Sequence, residues 1–67
     1  MDLEIQMCLA RSEAYYKAAE EVYEYSKFFL SQGVSTFEKN LLNIEAILSD
    51  LGDDEYWKAV RIKQALP

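Results

Sequence analysis

Few residues in this chain could do covalent or metal chemistry. Cys8 is the single cysteine among 67 residues, and there is no histidine. A thiol acts as nucleophile or metal ligand only as the thiolate, which a base or cation must stabilise. Without histidine, Cys–His pairs, Ser–His–Asp triads and imidazole metal sites are excluded. One cysteine also excludes an internal disulfide and a cysteine-based zinc site. Carboxylates crowd one stretch, as Glu13, Glu20, Glu21 and Glu24. A catalytic pair needs a sheltered pocket, and so short a chain has little to build one with. Gly33 and Gly52 are isolated, so no glycine-rich loop can cradle a phosphate. These residues predict a non-enzyme with no cofactor and no metal.

The same carboxylates suit a second kind of chemistry. An acidic face attracts Lys and Arg side chains of a partner, where otherwise it serves only as a solvated surface. Glu20 and Glu24 share a helical face, and their repulsion costs a few tenths of a kcal/mol. Tyrosine is the other unusual ingredient, five in the chain, of which Tyr15, Tyr16, Tyr23 and Tyr25 lie close to the acids. Its ring prefers apolar surroundings and its hydroxyl prefers water, which fits half-buried packing and protein interfaces alike. Glu13, Glu20, Glu21, Glu24, Tyr15, Tyr16 and Tyr23 are therefore the candidate partner-binding residues.

The elements that position them follow from periodicity. Ile5, Ser12, Ala19 and Ser26 recur every seven residues. Cys8, Tyr15, Val22 and Phe29 flank them on one side, and Leu9, Tyr16, Tyr23 and Leu30 on the other. These columns share one helix face, which predicts a helix over about 2–32, stopped by Gly33. Ser35-Thr36-Phe37-Glu38 has the form of a capping box and opens a second helix over about 36–51. Its apolar stripe reads Phe37, Leu41, Ile44, Leu48, Leu51, widened by Ile47, and Gly52 is expected to end it. Asp53-Asp54-Glu55 then suits the N-terminus of a third helix over about 54–66, with Lys58, Arg61 and Lys63 towards its positive-preferring end. The expected fold is all-α: a small three-helix domain spanning 1–67, one long helix packed by two shorter ones.

A length mismatch bears on assembly. At about 1.5 Å per residue the first helix is roughly 45 Å long and the second roughly 24 Å. If the third folds back, the first helix stands bare around Ile5, Cys8, Leu9 and Ser12; if it bends onward, it covers them. Bare apolar surface on so small a domain favours self-association, and the small column at Ser12, Ala19 and Ser26 would let helices approach closely. Ile5, Cys8, Leu9 and Ser12 are the candidate self-association residues, in a homodimer.

Composition narrows the partners. Half the residues (51%) are hydrophobic, too many for a disordered tail, yet no apolar run reaches membrane-spanning length. The net charge is −5, which disfavours nucleic acid and anionic membranes and suits a basic protein surface. A lone cysteine fits a reducing compartment, and the acidic opening Met1-Asp2-Leu3-Glu4 lacks the basic start of a signal peptide, so the expected location is cytoplasmic.

The stretch Ala14-Tyr15-Tyr16-Lys17-Ala18-Ala19-Glu20 resembles the Tyr/Ala helices of tetratricopeptide repeats. The resemblance covers one helix, no 34-residue repeat follows, and nothing is carried over from it. The leading functional expectation is a non-catalytic regulator or inhibitor that occludes a basic surface of another protein. Small acidic helical chains of this format are common among phage and mobile-element antagonists of host proteins. A structural component that self-associates through its long helix is the alternative. A small helix-turn-helix DNA-binding regulator is the second, weakened because Asp53-Asp54-Glu55 would meet the phosphates first.

Overall fold

Two long helices account for almost every residue. A computed structural model describes residues 2–67. Helix α1 spans Leu3–Ser31 and α2 spans Ser35–Ala65. They form an antiparallel hairpin about four times longer than it is wide, with extents of 55 × 14 × 10 Å. No strand occurs among the described residues.

The start of α1 is capped by Asp2, whose carboxylate accepts from the Glu4 N–H at 2.7 Å. Its end is closed by two reverse bonds, Gly33 N–H to Leu30 C=O at 3.0 Å and Val34 N–H to Phe29 C=O at 2.9 Å. That pairing is the Schellman arrangement, and it requires the left-handed φ of +78° that Gly33 adopts. The reading of Gly33 as a helix stop is correct.

The three-helix expectation is not. The two helices expected over 36–51 and 54–66 are one continuous α2 of 31 residues, and the molecule is a helical hairpin. Gly52 lies in mid-helix with ordinary helical backbone, since among the described residues Gly33 alone has positive φ. Asp53, Asp54 and Glu55 continue the helix rather than begin one. A helical glycine costs about 1 kcal/mol relative to alanine, and close packing against α1 can offset that. The capping box also fails to form: Ser35 is already helical, Val34 holds the cap position, and no side chain caps it.

Continuity of α2 resolves the length mismatch. At about 1.5 Å per residue the helices are roughly 44 and 47 Å long, so they match end to end. The seam is narrow. On α1 it is the column Ile5, Ser12, Ala19 and Ser26, all buried, with Cys8 beside them. On α2 only Gly52 and Ala59 are buried. Ile5, Cys8 and Ala59 form the core cluster, with Ile62 packed against it. Small residues on both sides bring the backbones together, and Ser12 Oγ donates across the seam to the Gly52 carbonyl at 2.8 Å.

The apolar stripe expected on α2 is rotated away from the seam. Leu41 and Leu48 are half-buried, but Phe37, Ile44, Ile47 and Leu51 are exposed. The column through Glu38, Glu45, Gly52 and Ala59 takes the centre instead. Two packed helices have no third element to cover a wide stripe, so much of the apolar surface stays outside.

Candidate functional site

The seam divides the hairpin into two lateral faces. Tyr16 reaches Asp53 on one side, where its hydroxyl donates to the carboxylate. Leu9 lies on that side too, lining a cleft with Tyr56, Val60 and Lys63. On the other side Arg11 pairs with Glu55 at 3.2 Å, and the Phe29 and Phe37 rings meet at 5.4 Å.

The first face carries most of the candidate partner-binding residues. Glu13, Tyr16, Glu20 and Tyr23 follow spacings of three, four and three, so acid and aromatic alternate along one exposed strip of α1. Tyr16 is 40% exposed and Tyr23 45%. Beside the strip, Lys27 Nζ sits 4.8 Å above the centre of the Tyr23 ring and 3.1 Å from Glu24. A cation is thus held between a ring face and a carboxylate, an arrangement that combines cation–π attraction with an ion pair. The Tyr16 phenol is held above its ordinary pKa of 10.0 by its hydrogen bond to Asp53, with burial and the Asp53 charge acting the same way.

Tyr15 and Glu21 fall elsewhere. Tyr15 is half-buried at the opposite flank of the seam. Glu21 joins Glu24 at the rim of a groove of about 730 Å³ floored by Tyr25, Phe28 and Phe29. Of the candidate self-association residues, Ile5, Cys8 and Ser12 face α2 of the same chain and are buried there, and Leu9 is 39% exposed.

Sequence reasoning missed the aromatic surface at the turn end, where Phe28 and Phe37 are both exposed. The available signal was the i, i+4, i+3 spacing of Glu21, Tyr25 and Phe28, which puts them on one strip. It also missed the cluster at the other end of that face. Arg11 donates to Cys8 Sγ at 3.4 Å, and Glu55 takes both Arg11 and Lys58, at 3.2 and 3.4 Å. Burial raises the Glu55 pKa, but the neighbouring Arg11 guanidinium and Cys8 thiol, with the charge of Lys58, outweigh it. The carboxyl ends below its ordinary 4.5. Its Oε2 makes no well-angled hydrogen bond and is compensated by the Arg11 charge. Two residues of α1 and two of α2, more than forty positions apart in sequence, meet here, which no local pattern could reveal.

Among the described residues, no three carboxylate or thiol side chains converge as a metal site, and no helix is long and apolar enough to cross a membrane. No family model, curated protein or solved structure matches the chain.

Proposed function

We propose that the chain is a non-catalytic protein-binding regulator or inhibitor, acting in the cytoplasm by occluding a basic surface of another protein. The contact would be the strip of Glu13, Tyr16, Glu20 and Tyr23, with Glu24 beside it. The observation that carries this reading is Lys27, seated on the Tyr23 ring and paired with Glu24. The chain's own lysine occupies the kind of position a partner's Lys or Arg would take. Rigid aromatic rings between acids supply apolar contact area together with charge complementarity, the two contributions that anchor and steer an interface. The location rests on the single free cysteine, buried and unpaired.

The test is capture of partners by the tagged chain at low and moderate salt, beside the variant Glu20→Lys/Glu24→Lys. A protein retained in stoichiometric amount, weakened both by salt and by the variant, is expected. Retention indifferent to both, or no retained protein, overturns the reading.

An assembly component built from copies of this chain is the second reading. It is favoured by the apolar residues left exposed on the face opposite the acid–tyrosine strip. Helix-turn-helix recognition is not proposed, because residues 52–53, where its turn was expected, lie inside α2.

A further inference from the structure

The hairpin exposes more surface than its mass allows for a compact monomer. Its accessible area is 5078 Å² for 7.8 kDa. Folded monomers of that mass expose about 4,400 Å² by the usual surface scaling. The excess of about 700 Å² is close to the roughly 800 Å² that each partner buries at a standard interface. The radius of gyration, 15.4 Å, likewise exceeds the roughly 11 Å of a compact chain this long.

Part of the exposed apolar surface is a continuous strip on one face. Phe37, Ile44 and Leu51 recur every seven residues along α2, Ile47 widens the column, and all four are exposed. Phe29 touches Phe37 and Phe28 touches Phe29, which joins this column to the aromatic groove of α1. Near the turn, the aromatic groove has Glu21 and Glu24 at its rim. The half of the face farther from the turn carries the ion cluster of Arg11, Glu55 and Lys58. Among the described residues neither helix covers this surface, because α1 and α2 are already packed against each other along the seam.

We propose that a second copy of this chain covers it, in a two-fold dimer that closes two hairpins into a four-helix bundle. The occupant follows from the chain's overall excess of exposed area, which is of the size one dimer interface removes from each partner, and from the character of the face. Permanent homomeric interfaces resemble a domain core cut in half, and a seven-residue apolar column is the packing unit of helical bundles. The hairpin's own buried core, Ile5, Cys8 and Ala59, is small for a stable fold, and folding coupled to dimerisation adds the missing burial. The two-fold contact is isologous, so each copy contributes the same residues. The proposal deepens the assembly reading and needs no foreign partner. The strip of Glu13, Tyr16, Glu20 and Tyr23 lies on the other face and stays free, while Glu24 borders both surfaces.

The test uses the purified full chain alone. Sedimentation equilibrium and thermal unfolding are followed over a wide range of concentration, for the wild type and for Ile44→Ala/Leu51→Ala. The expected results are twice the chain mass, a thermal midpoint that rises with concentration, and a dimer dissociation constant raised at least about tenfold in the variant. Helix lost in the variant at low concentration and regained at high concentration supports the same conclusion. A wild type that stays at the mass of one chain, with a midpoint independent of concentration, overturns the proposal. A dimer untouched by Ile44→Ala/Leu51→Ala but dispersed by Tyr16→Ala/Tyr23→Ala overturns the face. Because no partner is present, failure here leaves the occlusion reading standing, and the reverse holds for the capture experiment.

Discussion

Tyr16 lies so close over Gly52 that a Cβ added to the glycine would sit 2.8 Å from Tyr16 Cε1. The glycine is therefore a landing site for the tyrosine ring, and its missing side chain is what lets α2 run uninterrupted against α1. The contact predicts different outcomes for one substitution in two backgrounds. In the wild type, Gly52→Ala gains about 1 kcal/mol of helix propensity but displaces the ring and its bond to Asp53. It should leave stability unchanged or lower it. In a Tyr16→Ala background the obstacle is gone, and Gly52→Ala should stabilise by about 0.5–1 kcal/mol. A double-mutant cycle by urea unfolding measures the difference.

Ser12 tests the seam. It is buried, and its hydroxyl donates to the Gly52 carbonyl. Ser12→Ala should cost about 1 kcal/mol, the net value of a hydrogen bond whose acceptor also serves the helix ladder. Ala19→Leu should cost more, about 1–3 kcal/mol, because a bulky side chain in a small-residue seam forces the helices apart. Denaturant midpoints for the two variants give the order directly.

Gly33 isolates a backbone effect. No atom lies within 4 Å of where its Cβ would be, so substitution meets no clash. Gly33→Ala should still cost about 1–2 kcal/mol, because its φ of +78° is unfavourable for an L side chain. Gly33→Asn should cost less, since asparagine tolerates that region. A cost that disappears for alanine in chemical unfolding would refute the Schellman cap as a source of stability.

Two groups give the hairpin a pH dependence at opposite ends. Glu55 titrates below 4.5 in the fold, so its contribution is present at neutral pH and fades as pH falls through its folded value. Tyr16 titrates above 10.0, so its contribution is complete below that pH and is lost as pH rises through its folded value. Glu55→Gln should flatten the acid limb of a stability–pH curve and leave the alkaline limb, while Tyr16→Phe should do the reverse. Urea midpoints across the pH range separate the two.

Periodicity alone determined that the chain is helical, that Ile5, Ser12, Ala19 and Ser26 face inward, and that Gly33 turns the chain. Each rests on local chemistry: a seven-residue repeat defines a face, and only glycine accepts the left-handed cap without strain. The exposed acids and the two tyrosines at 16 and 23 were legible for the same reason, as the strip beside that face. What Gly52 does was not legible, because a glycine between apolar and acidic stretches reads equally as a stop or as a close contact. The choice depends on Tyr16 and Ser12, some forty residues earlier. Nor could the stripe of α2 reveal which half of itself would be buried. Two helices share one narrow seam, and the small residues that narrow it turn Phe37, Ile44, Ile47 and Leu51 outward. Tertiary packing decided that orientation, because the small residues Gly52 and Ala59 are the ones buried against α1, which leaves the larger side chains of the stripe outside.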